Sequence, residues 1–259
     1  MAGVDVGVLR NDHARMTRSP SRSLMLAQHR VKLLVKPLLV PDETKPRTIK
    51  SGPGRGTIAL LNRRHDLQRE LGLYESELNG VYESSISSDS VVYAIGAGDG
   101  VTTLLYASLA RTGRVYAFEP EPSAVRRLRA NLDLNPTIAA RIELIEAPFG
   151  PNVVTADLEP PDFLKIDVDG GELAALSAAV PLLREFPPVV VETHSRQLEE
   201  SCIEFLRELG YTVEIVPNSR WRLLWPEWRP LDHNRWLVAT NSRWSGEAET
   251  RKFASRQPP

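Results

Sequence analysis

Two stretches of the chain carry side chains whose types and spacing could do chemistry. In VVYAIGAGDGVTT, Val91 to Thr103, Gly96, Gly98 and Gly100 follow an apolar run and open a helix-like segment. Glycine belongs where a backbone must turn tightly and approach a ligand with no Cβ in the way. Val101 stands where a dinucleotide fingerprint needs its last glycine, and no Gly-Lys-Ser/Thr follows, so neither a pyrophosphate seat nor a phosphate loop is expected. The next apolar run, RVYAFEPEP, ends at Glu119, nineteen residues beyond Gly100. A carboxylate there accepts hydrogen bonds from both hydroxyls of an adenosine ribose and repels a ribose phosphate.

The second stretch is DFLKIDVDGGE, paired in chemistry with VVVETH. Strand side chains alternate, so Lys165 and Asp167 share one face, and so do Glu192 and His194. An acceptor hydroxyl needs a base near the strand ends. His194 is the natural base by its pKa, and Asp167 the natural partner for ligand or acceptor. The plainer readings are a pairing of Lys165 with Asp167, a helix cap for Glu192 and a loop hydrogen bond for His194. Asp167, Asp169 and Glu192 also make an oxygen set of the kind Mg²⁺ prefers, but the expected site holds no metal. Cys202, in EESCIEFLREL, is the sole cysteine, which excludes an intramolecular disulfide; it reads as a small apolar residue on a helix. RWRLLWPEWRPLDHNRW, Arg220 to Trp236, gathers four of the five tryptophans with four arginines. Such a loop either stacks on a sugar or base and steadies an anion, or covers the sheet edge or a subunit contact. His233, within it, counts for little.

The elements that must position these residues are legible in the alternation of patterns. Strand-like runs are VVYAI, RVYAF, RIELI, DFLKIDV, PPVVVETH, YTVEIV and RWLVAT; helical stretches VTTLLYASLA, PSAVRRLRANLDL and GELAALSAAVPLL separate the first five, and LEESCIEFLREL follows the fifth. This specifies an α/β fold with a mostly parallel seven-stranded sheet, helices on both faces and an antiparallel pair at one edge. Ligands then belong at the carboxyl ends of the strands, where the strand order reverses. That domain is expected over 89–240, preceded by a hairpin and helix over 46–88. TIKSGPGRGTIAL reads as two strands around a glycine-rich turn. Residues 1–45 read as a basic arm: through Lys50 the chain carries ten Lys/Arg against four acids. The arm, as a helix over RSLMLAQHRVKLLVKPLLVP stopped at Pro37 or as a partly disordered segment, packs on the domain or contacts a partner or an anionic membrane surface. The tail, 241–259, is polar. A net charge of −1 argues against an obligatory nucleic-acid partner. No apolar run approaches the roughly 18 residues of a membrane span, and with no secretory pattern the cytoplasm is the expected place.

IGAGDG, VYAFEPEP, a helix ending in NLDLN, DFLKIDVDGGE and VVVETH, in that order, resemble the FkbM-type family of S-adenosylmethionine-dependent methyltransferases, over roughly residues 48–240. GLYESEL, Gly72 to Leu78, resembles the helix just before that family's core. The resemblance implies a class I methyltransferase that methylates an oxygen of a small molecule, a sugar, glycan or natural product. Methylation of RNA ribose or protein, or cofactor binding without turnover, are the alternatives. It implies S-adenosylmethionine with its methionine part over Gly96, Ala97, Gly98, Asp99 and Gly100. Its ribose would be on Glu119 beside Pro120, its adenine ring bordered by Glu146 and Ala147, and Asp167 would face its amino group or the acceptor. One departure stands out. Most members carry an acid two residues before the first loop glycine, where this chain has Ala94. The expected cost is about 1–3 kcal/mol of one charged hydrogen bond, with Asp99 or Asp167 standing in.

Overall fold

The computed structural model describes residues 40–150, 157–219 and 234–244. Residues 1–39 of the arm, the tryptophan- and arginine-rich loop from 220 to 233 with His233, and the tail from 245 lie outside the described residues. In chain order the strands are β1 (Thr44–Thr48), β2 (Ile58–Asn62), β3 (Val91–Ile95), β4 (Arg114–Phe118), β5 (Ile142–Ile145), β6 (Phe163–Ile166), β7 (Val189–Thr193), β8 (Thr212–Val216) and β9 (Arg235–Thr240). The helices are α1 (Arg63–Leu71), α2 (Asn79–Ser85), α3 (Val101–Leu109), α4 (Pro122–Asp133), α5 (Pro136–Ala139), α6 (Glu172–Ala178), α7 (Val180–Leu183) and α8 (Arg196–Glu208).

The last seven strands form one sheet in the order β5-β4-β3-β6-β7-β9-β8. β5, β4, β3, β6 and β7 are parallel to one another. β9 runs against both β7 and β8, so the reversed strand lies inside the edge, between them. The strand order reverses between β3 and β6, and a crevice opens there at the carboxyl ends, as right-handed crossovers require.

Both faces of the central strands are covered, so the strands are largely apolar runs, with Lys165 and Glu192 as polar exceptions toward the carboxyl ends of β6 and β7. Tyr93, Ile95, Phe118, Leu164, Ile166 and Val191 pack against Leu176, Cys202 and Leu206 of α6 and α8. Val92, Ala117, Phe163 and Val190 pack against Tyr82, Tyr106 and Leu128 of α2, α3 and α4. Each fully buried large apolar side chain contributes about 1.5–3 kcal/mol. Burial pushes the Cys202 thiol up to about 12, which leaves it a packing residue. Glu121 caps α4 by accepting from Ala124 N at 2.7 Å, and Ser195 caps α8 by accepting from Leu198 N at 3.1 Å.

The segment ahead of the sheet departs from the sequence reading in two places. The hairpin starts at Thr44, inside the stretch assigned to the arm, and pairs Thr44 with Asn62 through to Thr48 with Ile58. GLYESEL is not a helix: Glu75 takes a left-handed conformation at φ 49°, and a single 3₁₀ turn, Ser76–Leu78, leads into α2. The hairpin is docked by two buried asparagines at helical spacing. Asn131 Oδ1 accepts from Leu60 N at 2.7 Å, and Asn135 Oδ1 accepts from Ile58 N at 2.9 Å. These amides satisfy the outer edge of β2, and they are the asparagines of NLDLN.

Candidate functional site

The glycine loop leaves β3 at the crevice. Gly96, Gly98 and Gly100 all have positive φ, at 82°, 58° and 80°. They differ in what surrounds them. A Cβ on Gly96 would lie 1.8 Å from the Asp167 carbonyl oxygen, and one on Gly100 would lie 2.7 Å from Leu128 Cγ, whereas one on Gly98 would meet nothing within 4 Å. The first and third glycines let the loop press onto β6 and α4; the second faces open space.

Neighbouring elements hold the loop in place. Gly96 N and Ala97 N both donate to Phe118 O at 3.0 Å. Glu119, buried at the end of β4, accepts from Gly98 N at 2.7 Å and, with its other oxygen, from Glu121 N at 2.9 Å. Asn131 Nδ2 donates to Asp99 O at 2.8 Å. Arg69 of α1 pairs with the Asp99 carboxylate and lies over the Tyr74 ring, 4.7 Å from its centroid. Burial alone would lower the Arg69 pKa, but Asp99, Tyr74 and Asp66 outweigh it and the guanidinium stays charged. Between these groups lies an open cleft bounded by Gly96, Ala97, Gly98, Asp99, Arg69, Tyr74 and Asp167. Ile145 is the strand partner of Phe118, which sets Glu146 and Ala147 beside Glu119 and Pro120. Pro120 is exposed, and Glu146 is exposed and paired with Arg129.

A polar cluster fills the carboxyl ends of β6 and β7, with Lys165 at its centre. Its Nζ lies 3.2 Å from Asp167 Oδ2, 3.3 Å from Glu192 Oε2 and 3.7 Å from Glu75 Oε1, with the lysine side chain 4% exposed. Burial opposes the ammonium, but Asp167, Glu75 and Glu192 hold its pKa well above the usual lysine value. Lys165 is thus a fixed cation and does not reach the cleft. Burial pushes Glu75 up to about 8 against the pull of Lys165, with repulsion from Glu192 and Asp167 adding to the rise. Burial likewise raises Asp167 to about 6. Glu192 goes the other way, to about 2, because the Lys165 ammonium overcomes its burial. Trp236 Nε1 also donates to Glu192 Oε2, at 3.1 Å. Trp236 is fully buried, so this tryptophan covers the sheet and orients a carboxylate.

His194 stands at the rim. Its Nδ1 is 2.8 Å from Glu172 Oε1, and its backbone N donates to the same oxygen at 3.1 Å. Its Nε2 faces Asp169 Oδ1 at 3.1 Å, Asp167 Oδ1 at 3.8 Å and Glu192 Oε1 at 3.8 Å. The hydrogen bond to Glu172 is the main cause that raises the imidazole pKa, against burial. Among the described residues, Asp167, Glu192 and His194 offer ligand atoms within 4.8 Å of one another, close enough to hold one metal ion.

Sequence reasoning passed over Arg69, Glu75, Asn131 and Glu172. The i, i+4 asparagines and the acid closing DVDGGE were visible signals; the approach of Glu75 across ninety positions to Lys165 was not. Ala94 is in register with Lys165 on the adjacent strand and 2% exposed. With three carboxylates already around the ammonium, Lys165 has no need of a further acid at position 94.

The methyltransferase FkbM domain matches residues 151–213. The fold is similar to that of precorrin-6y C5,15-methyltransferase from Geobacter metallireducens, at 25% identity over 62% of this chain and 87% of that one, with a TM-score of 0.50. It is similar also to an S-adenosylmethionine-dependent O-methyltransferase from Thermotoga maritima, at 16% identity, covering 62% and 63% of the two chains, TM-score 0.50. A rRNA-methylase-like structure from Clostridium thermocellum matches at 18% identity, covering 66% and 96%, TM-score 0.50. No curated protein matches the sequence significantly. The sheet is that of the class I methyltransferases. No helix among the described residues is long and apolar enough to cross a membrane.

Proposed function

We propose that this chain, a methyltransferase of class I fold with FkbM similarity over 151–213, takes its methyl group from S-adenosylmethionine and delivers it to a hydroxyl oxygen of a small molecule. The observation that carries the reading is the contact of the glycine loop with Glu119 at the reversal of strand order, 2.7 Å from Gly98 N to the carboxylate. The open face of Gly98 and the cleft beside it leave space for a ligand against that pair.

The bound cofactor supplies a methyl group on a sulfonium. The chain's own residues then hold, orient and keep out water. Glu119 exchanges its loop hydrogen bonds for the ribose hydroxyls, with Pro120, Glu146 and Ala147 bordering the base. Gly96 to Gly100 underlie the methionine part. Asp167, reaching the cleft from β6, takes the ammonium or the acceptor, which answers for the alanine at position 94. Lys165 and Glu192 lie beneath and fix Asp167. The acceptor stands over Asp167 and His194, where polar groups can receive its proton. A glycan or sugar hydroxyl suits this polar rim, as does a hydroxylated natural product.

Replacing Glu119 with Ala removes two hydrogen bonds from a charged group, each contributing roughly 1.5–3 kcal/mol. The expected result is at least about a tenfold loss of S-adenosylmethionine affinity with the fold intact by circular dichroism. Transfer of labelled methyl to a panel of glycan and natural-product hydroxyls tests the acceptor class. Labelling of RNA or protein alone, with no small molecule accepted, would refute it.

A further inference from the structure

We propose that Asp167, Glu192 and His194 form a binding site for one divalent cation at the carboxyl ends of β6 and β7. Three ligand atoms converge there, within 4.8 Å of one another: His194 Nε2 lies 3.8 Å from both Asp167 Oδ1 and Glu192 Oε1, while Asp169 Oδ1 approaches Nε2 alone, at 3.1 Å, from the rim. Around a cation with bonds of about 2.1 Å, ligand atoms stand roughly 3 Å apart at right angles and about 4.2 Å apart when opposite. The observed separations fall within that range. A proton on Nε2 could serve the contact to Asp169, but 3.8 Å is too long for hydrogen bonds to the other two.

The surrounding contacts orient the set. Lys165 holds the far oxygens of Asp167 and Glu192, at 3.2 and 3.3 Å, and Trp236 Nε1 holds the same Glu192 oxygen at 3.1 Å. The near oxygens are left to turn toward His194. Glu172, fully buried, occupies Nδ1 at 2.8 Å and so directs the lone pair of Nε2 at the carboxylates. A proton on Nε2 relieves the repulsion toward Asp169 alone, whereas a cation relieves it toward Asp167 and Glu192 as well.

A separate observation points to a missing cation. Glu75 is 2% exposed and its Oε1, turned into the same cluster, has no hydrogen-bond partner. The cluster sets the carboxyl groups of Glu75, Asp167, Asp169, Glu172 and Glu192 against only Lys165 and His194 as bases. One imidazole among carboxylates suits an ion such as Mn²⁺ better than the all-oxygen preference of Mg²⁺ or Ca²⁺. His194 then serves as ligand; its Nε2 cannot also be the base expected from sequence.

The role in turnover rests on the methyltransferase reading. The acceptor hydroxyl binds the cation, its acidity rises, and its proton passes through Asp169, which is 66% exposed, to water. The oxygen forms its bond to the methyl carbon as the carbon–sulfur bond breaks and the electron pair stays on sulfur.

The test is titration of the chelator-treated full chain with Mn²⁺, followed by calorimetry and by the electron paramagnetic resonance of free ion. One Mn²⁺ per chain is expected, with Kd raised about tenfold or more in His194→Ala and Asp167→Asn, and about 10–100-fold in Glu172→Gln, which acts through the ring it orients. Asp167→Asn keeps the size of the side chain and removes only its charge, so its result stands even if His194→Ala misfolds. No stoichiometric binding at millimolar Mn²⁺, or a Kd unchanged in folded Asp167→Asn and His194→Ala, overturns the site. S-adenosylmethionine binding is measured on the same chelated protein. Cofactor bound without the Mn²⁺ site sinks the cation alone, and Mn²⁺ bound without cofactor sinks the methyltransferase reading alone.

Discussion

Lys165→Met is expected to destabilise the fold by about 3–5 kcal/mol, the cost of stripping a buried ion cluster of one partner. The lysine side chain is 4% exposed and is the ammonium shared by Asp167, Glu192 and Glu75. Methionine matches its length and removes the charge, leaving carboxylates to repel one another in a desolvated pocket. Against a total stability of roughly 5–15 kcal/mol for a typical domain, that loss is large. Urea denaturation reads it as a lower midpoint at unchanged slope. Adding Glu75→Gln and Glu192→Gln to Lys165→Met removes the repulsion and recovers part of the loss. A change below about 1 kcal/mol in the single variant, the range of surface ion pairs, would show that Lys165 is not the electrostatic hub its distances imply.

Gly96→Ala is expected to be comparably damaging for a different reason. Its φ of 82° strains any L side chain, and the new Cβ would sit 1.8 Å from the Asp167 carbonyl oxygen. The strain costs roughly 1–2 kcal/mol and the overlap roughly 1–3 kcal/mol more. Relief requires β3 and β6 to part where Asp167 N donates to Ile95 O at 2.9 Å, which moves Asp167 away from the cleft. Stability and S-adenosylmethionine binding should therefore fall together. Gly98→Ala is the control. Its Cβ meets no protein atom within 4 Å, so stability falls by only about 1–2 kcal/mol, while binding falls because the methyl group occupies ligand space. If Gly96→Ala proved as mild as Gly98→Ala in the melt, the tight contact between loop and β6 would be disproved.

The seven strands of the sheet were legible because each is a short apolar run bounded by helical periodicity. The adjacency of the glycine loop and Glu119 followed from two successive strand ends. Position within the sheet was less so: RWLVAT reads as a strand, but nothing local says that β9 inserts between β7 and β8. The site's lower layer was hidden for a similar reason. Lys165, Asp167, Glu192 and His194 were visible as alternating strand residues, but the ranking of partners was not. Which acids reach Lys165 depends on where a left-handed turn sets down Glu75 and on the approach of β7. The helix expected at GLYESEL rested on the family resemblance alone; the contacts of Glu75 with Lys165 and with Tyr82, 2.9 Å from Tyr82 Oη to its carboxylate, go with a left-handed turn there instead.

Isothermal calorimetry of the wild-type chain with S-adenosylmethionine tests the central claim most directly. One cofactor per chain is expected, with affinity reduced in Glu119→Ala and in Gly98→Ala. Absence of heat and of saturation at millimolar cofactor would contradict the account, however well the sheet resembles that of a methyltransferase.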